Sequence, residues 1–229
     1  IIACEIRYGL YELESKIMKS SIKAKLRQRL ELCKVCLITT PQIHLSKTVA
    51  NALSKGIGMV QYRCKEGTNL DKLIQAKELA SLCKKHEALF IINDHIDLAL
   101  AVEADGVHLG QNDYPTEIAR RLLGDEKLIG RSTHCLKELN DAEIERCDYL
   151  GVGPIYPTGT KPYQKPVGIS YLNEALKATQ LPCFAIGGIN HSNLGEVLSA
   201  GAQKIAVAGA IMSASNPAAI SFKLMKEMP

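Results

Sequence analysis

No apolar run in the 229-residue chain reaches the roughly 18 residues of a membrane-spanning helix, and no basic segment followed by an apolar core opens it as a signal peptide would. The chain begins at Ile1 rather than Met, as a fragment or a processed form does. A second Cys-x-x-C is missing too. Cys33 and Cys36 form one, but Cys4, Cys64, Cys83, Cys135, Cys147 and Cys183 are scattered. That spacing speaks against a zinc site and a disulfide framework, and for reduced thiols in a cytosolic-type compartment, so a cytoplasmic location is expected. Cys33 and Cys36 lead into an apolar strand, where positions three apart face opposite sides, so their thiols are not expected to meet.

Charge of one sign is scarce over most of the length. Residues 1–34 hold eight basic side chains against four acidic ones, whereas the remainder balances twenty against twenty, so the whole net charge of +4 sits in the N-terminal stretch. A neutral bulk argues against a nucleic-acid surface. The basic stretch reads as a solvated helix face in preference to a binding patch.

What is present is an ordinary globular composition, 46% hydrophobic and 23% charged with mean hydropathy near zero. From residue 35 onward, short β-like runs alternate with helix-like segments. The runs are 35–39, 59–63, 89–92, 106–109, 128–132, 149–153, 183–186 and 204–208. The helical patterns lie near 45–55, 70–86, 95–102, 115–123, 136–145, 170–179, 193–200 and 216–227. Strict alternation implies parallel βαβ units, and eight of them imply a closed (β/α)8 TIM barrel over residues 35–229, with a doubly wound open sheet as the runner-up. Residues 1–34 stand outside that count as an N-terminal extension. It is helix-compatible from Glu12 to Arg29, with Ile17, Ile22 and Leu26 at roughly helical spacing, and is either an extra helix on the barrel or the tail of an upstream domain.

The polar residues that carry chemistry fall at the expected strand ends, where such barrels place their active sites. Ile91-Ile92-Asn93-Asp94 ends an apolar run in an Asn-Asp pair, and Gly106-Val107-His108-Leu109-Gly110-Gln111-Asn112-Asp113 ends the next in Gly-Gln-x-Asp. Two carboxylates at adjacent strand ends suit Mg2+. Capping of the following helix by each Asp is the competing reading. Strand 2 ends in Gln61-Tyr62-Arg63-Cys64-Lys65, and alternation puts Gln61, Arg63 and Lys65 on one face. Turned inward they suit a diphosphate; turned outward they are a solvated strand end. Strand 5 ends in Ser132-Thr133-His134. Strand 6 leads into a Gly- and Pro-punctuated loop, from Gly153 to Pro162, that could fold over a phosphate as a lid and carries Lys161 near its far end. Gly187-Gly188 and Ala208-Gly209 follow strands 7 and 8, the usual phosphate site of this fold.

Taken in order, Gln61-x-Arg63-x-Lys65, Ile91-Ile92-Asn93-Asp94, Gly106-Val107-His108-Leu109-Gly110-Gln111-x-Asp113, Ser132-Thr133-His134, Gly153-Pro154-x-x-x-Thr158-x-Thr160-Lys161 and Ala185-Ile186-Gly187-Gly188-Ile189 resemble the thiamin phosphate synthase family over residues 35–226. The resemblance implies a transferase. It would join 4-amino-2-methyl-5-(diphosphooxymethyl)pyrimidine to 4-methyl-5-(2-phosphoethyl)thiazole, with diphosphate leaving first from a dissociating pyrimidine. It implies that Gln61, Arg63, Lys65, Asn93, Ser132 and Lys161 hold the pyrimidine diphosphate, with Tyr62 and Cys64 at the same substrate. Arg63, Lys65, Ser132 and Lys161 are then the catalytic set, Asp94 and Asp113 bind Mg2+, and Thr158, Gly159, Thr160, Gly188, Ala208 and Gly209 hold the thiazole phosphate. That chemistry asks for no activated nucleophile, in keeping with the lack of a Ser-His-Asp or Cys-His arrangement. The implied partners are the two small molecules, with neither nucleic acid nor membrane, and a homo-oligomer is compatible.

The chain departs from the family pattern at Gly209, where many members have Ser, at His95, where Arg is common, and at Cys64, where Glu is common. Two other readings stand beside the synthase. One is a thiazole tautomerase with His134 as acid/base; the other is a barrel that binds a ligand without catalysis.

Overall fold

The computed structural model describes residues 18–159 and 165–229. Residues 18–32 are helical (α1). Eight strands follow: β1 (Val35–Ile38), β2 (Met59–Tyr62), β3 (Leu89–Asn93), β4 (Gly106–Leu109), β5 (Leu128–Thr133), β6 (Tyr149–Val152), β7 (Cys183–Ile186) and β8 (Lys204–Val207). They pair in parallel, each with the next and β8 with β1, to close the barrel. The helices between them are α2 (Leu45–Leu53), α3 (Asn69–Lys85), α4 (Ile96–Ala101), α5 (Thr116–Leu123), α6 (Leu136–Ile144), α7 (Gly168–Ala178) and α8 (Leu194–Ser199). After β8 come the single turn α9 (Gly209–Met212) and the terminal α10 (Pro217–Glu227). The expected TIM barrel is present, and each expected strand end lies within one residue of its place. The short α9 was not anticipated.

Alternation along the strands sorts side chains into two layers. Val35, Leu37, Val60, Tyr62, Phe90, Ile92, Val107 and Ile129 face outward against the helices. Cys36, Ile38, Met59, Leu89, Ile91, Leu128, Tyr149, Phe184 and Ala206 fill the interior. Leu26, Leu30 and Cys33 belong to this interior cluster as well, so the end of α1 plugs the N-terminal mouth of the barrel.

Polar contacts lock the plug. The Lys204 ammonium donates to the carbonyls of Leu30 at 3.2 Å, Glu31 at 2.5 Å and Cys33 at 2.9 Å. These carbonyls lie where the helix ends and its i→i−4 donors run out, although Leu30 also accepts from the Cys33 N–H at 3.3 Å. Asp148 accepts from Arg27 at 3.1 Å, Arg120 at 2.6 Å and the backbone N–H of Ile129 at 2.9 Å. Asp105 repeats the arrangement two strands earlier, accepting from the Phe90 N–H at 2.8 Å with Arg29 at 3.7 Å. Two expectations change here. The packed face of α1 is Leu26, Leu30 and Cys33, while Ile22 is exposed and Ile17 lies outside the described residues. Cys33 and Cys36 share the interior cluster, because Cys33 still belongs to the helix end, its N–H bonded to the Arg29 carbonyl at 3.0 Å, and precedes the strand alternation.

Candidate active site

At the opposite, C-terminal mouth the interior layer turns polar. Strand by strand, Ile38 and Thr40, Gln61 and Arg63, Asn93, His108, Ser132 and His134 line a cavity of about 480 Å3. Its far wall is Gly153, Pro154, Ile186, Gly187, Gly188 and the Ala208–Ala210 turn, with Thr158 and Gly159 over it. Glycines make the floor possible. A Cβ on Gly130 would lie 2.2 Å from the Tyr149 ring, and one on Gly151 would lie 3.1 Å from the His108 imidazole. The barrel interior therefore has room for Tyr149 and His108 stacked beneath the mouth, ring centroids 5.5 Å apart. His108 Nε2 lies 3.0 Å from Ser132 Oγ, and Nδ1 lies 3.3 Å from Tyr149 Oη.

On the rim next to Arg63 stands an acidic pair. Asp94 adopts a left-handed backbone, φ 65°, which Asp tolerates better than most residues and which swings its carboxylate off the strand direction. Its side chain is ion-paired with Lys65. Asp113 accepts from the Gly110 N–H at 2.6 Å and lies beside Asp94. Burial, reinforced by the neighbouring Asp94 carboxylate, raises the Asp113 pKa, while the Gly110 N–H and Lys65 oppose the rise. The two Asp residues do not cap their helices: the residues before α4 and α5 are His95 and Pro115, and neither makes a side-chain cap. Arg131 supports the Asp113 loop from the outer layer, donating to the carbonyls of Gly110 at 2.9 Å and Tyr114 at 3.4 Å.

The far wall is backbone-rich. Gly187 and Gly188 have φ of 102° and 65°, and a Cβ on Gly188 would lie 2.5 Å from the Pro157 carbonyl oxygen. Asn190 and Asn193 both donate to the Gly188 carbonyl, at 3.2 and 3.0 Å, fixing that turn. Gly209 opens α9 at the cavity edge, where the first N–H groups of a helix have no intrahelical partner.

Gln61, Arg63, Asn93, Ser132, Thr158, Gly159, Gly188, Ala208 and Gly209 thus meet around one cavity, with Lys65, Asp94 and Asp113 grouped at its rim. Thr160 and Lys161 lie outside the described residues, as does the far part of the expected lid. The side chains of Tyr62 and Cys64 take the other face of the strand, away from the cavity. Tyr62 is buried in the outer layer and donates to Gln75 at 2.9 Å; Cys64 packs against the same layer and bonds the Glu66 carbonyl at 3.1 Å. His134 is held by Glu138, which accepts from both its backbone N–H at 2.8 Å and its ring Nδ1 at 2.7 Å. Sequence reasoning passed over His108, Tyr149, Thr40 and Asn190. For His108 and Tyr149 a signal existed: each occupies an inward position on a strand whose inward neighbours are glycine.

The family of thiamine monophosphate synthase matches residues 35–211, from β1 to α9. The chain belongs to that family. Among its relatives, a thiamine-phosphate synthase of Prochlorococcus marinus (strain MIT 9303) is 58% identical over 99% of this chain, and one of Synechocystis sp. (strain ATCC 27184 / PCC 6803 / Kazusa) is 47% identical over 98%. The chain spans about 65% of the length of the first of these and 64% of the second. A solved thiamine phosphate pyrophosphorylase from Pyrococcus furiosus is 35% identical, with a TM-score of 0.79 over 88% of this chain and 96% of that one. A 3-hexulose-6-phosphate synthase at 17% identity and TM-score 0.64 shares the fold alone.

Proposed function

We propose that this thiamine monophosphate synthase family barrel couples a pyrimidine methyl diphosphate to a thiazole ethyl phosphate, releasing diphosphate. The observation that carries the reading is one cavity with two chemically unlike walls, each suited to an anion. Side chains of Arg63, Gln61, Asn93 and Ser132 form one wall, and the backbone of Gly188 and the Ala208–Gly209 turn forms the other. A volume near 480 Å3 is within the ordinary range for small-molecule sites and leaves room for two ring substrates in contact.

Mg2+ fits the rim. Asp94 and Asp113 are two carboxylates held against each other despite mutual repulsion, as oxygen ligands of a shared cation would be. Among the described residues no third His, Cys, Asp or Glu joins them, and Mg2+ is commonly held by one or two carboxylates plus substrate phosphates and water. When bound there, the metal supplies positive charge to the departing diphosphate. Arg63 and Lys65 add fixed cationic donors to the same leaving group, and Lys161, which matches the family motif in sequence, would add a third. Gln61 holds the pyrimidine end, Ser132 meets its diphosphate, and Thr158, Gly159, Thr160 and the glycine wall hold the thiazole phosphate so that its ring nitrogen faces the carbon that loses diphosphate. No side chain has to act as nucleophile.

Diphosphate release should require both substrates and Mg2+. Undiminished turnover in excess EDTA would sink the metal assignment, and release from the pyrimidine substrate at the same rate without the thiazole would sink the coupling. The His134–Glu138 contact favours a structural role for that imidazole over acid/base work. His134→Asn should therefore lower turnover roughly tenfold or less, against about 100-fold or more for a true acid/base.

A further inference from the structure

Beneath Ser132 the cavity floor holds a hydrogen-bonded chain that the coupling step does not use. Tyr149 is buried at the centre of the barrel, and burial holds its phenol well above the ordinary value, so it carries its proton. A buried O–H needs an acceptor. The partner of Tyr149 among the described residues is His108 Nδ1 at 3.3 Å. If Nδ1 bore the imidazole proton, two donors would face each other and the phenol would be left unsatisfied, a cost of about 1–3 kcal/mol. Nδ1 is therefore the acceptor, and the proton of the neutral ring sits on Nε2. Nε2–H then donates to Ser132 Oγ at 3.0 Å. With its oxygen occupied from below, the serine hydroxyl turns its own proton up into the cavity.

We propose that Tyr149 and His108 are positioning residues that fix the Ser132 hydroxyl as a hydrogen-bond donor, so that Ser132 selects an acceptor atom, an anionic oxygen of the diphosphate-bearing substrate. The chain is directional: phenol to imidazole, imidazole to serine, serine to ligand. The identity of the ligand rests on the coupling reaction proposed above; the direction of the chain does not.

Two measurements test this. In ligand-free protein labelled with nitrogen-15 in histidine, the His108 ring should show the Nε2–H tautomer, and Tyr149→Phe should shift it toward a mixture. An Nδ1–H tautomer in the parent protein would overturn the proposal without any assay of function. The second measurement is calorimetric binding of the pyrimidine diphosphate, with thiazole phosphate left out. Tyr149→Phe should weaken binding about fivefold and Ser132→Ala about tenfold, the scale of one hydrogen bond each. The double variant should bind no more weakly than Ser132→Ala alone. Losses that multiply would show that Tyr149 acts independently of Ser132. His108→Gln, which keeps a donor toward Ser132, should stay within a few-fold of the parent, while His108→Leu should match Ser132→Ala; equal losses in the two His variants would count against the relay. Absence of binding to the parent protein would overturn the ligand assignment, whereas binding without coupling would overturn the proposed reaction and leave the relay standing.

Discussion

Asp94 and Asp113 would be an expensive pair if their only role were structural. Each carboxylate raises the cost of charging the other, and Lys65 and the Gly110 N–H offset it among the described residues. Asp113→Asn keeps an oxygen for the Gly110 N–H and removes one charge. Turnover should fall roughly 100-fold or more, and the Mg2+ concentration for half-maximal residual activity should rise. Both are read from a metal titration of diphosphate release. Gly209 offers the opposite experiment. A Cβ there meets nothing within 4 Å, so Gly209→Ser places a hydroxyl at the glycine-lined wall of the cavity without strain. Thiazole phosphate affinity should tighten about 3- to 10-fold, as one added hydrogen bond allows. Residue by residue, the polar strand ends were legible because period-two alternation puts Gln61 and Arg63 on one face. The same alternation turns Tyr62 and Cys64 away from the cavity, which a motif read as a continuous string obscures. His108 was hidden because Gly-Val-His-Leu reads as a buried apolar strand.

At the scale of the element, α1 is part of the barrel's floor. Leu30 is 1% exposed and sits among interior side chains of several strands. Leu30→Ala should cost about 2–5 kcal/mol and lower the melting temperature by roughly 10 °C. Turnover per folded molecule should not change, because the substitution lies at the end of the barrel away from the cavity; thermal denaturation and a rate measured well below the transition separate the two. Removing residues 18–32 should cause a larger loss, since Lys204 would keep a buried ammonium without the carbonyls of Leu30 and Glu31. The helical character of this segment was readable from spacing. Its partner was not, because nothing local to Leu26 or Leu30 says that a barrel mouth will close over them. The α9 turn was missed for the reverse reason, a four-residue helix being too short to show a period.

For the whole molecule, the barrel divides its work between two ends. The C-terminal mouth carries the cavity, and the N-terminal mouth carries Asp105 and Asp148, each tying a strand backbone to an arginine of α1. Burial raises the Asp105 pKa above its ordinary 3.8, against the Phe90 N–H, Arg29 and Lys127. The folded protein therefore holds that proton more tightly than the unfolded chain. The contribution of this group to stability is present at low pH and lost as pH rises through the raised folded value. Asp105→Asn keeps an acceptor for Phe90 and cannot ionise. Its melting temperature relative to the parent should therefore improve between about pH 4 and pH 7, as scanning calorimetry at both would show.

The α1 plug also constrains the order of assembly. The helix is made before any strand of the barrel, yet the ammonium that binds its last carbonyls comes 174 residues after Leu30, on β8. Phe184 and Ala206, which share its apolar cluster, are similarly late. A ribosome adding about 5–20 residues per second leaves α1 waiting many seconds for its lock. Until β8 arrives, Leu26 and Leu30 have no finished floor to fill, so docking of α1 has to wait for closure of the barrel.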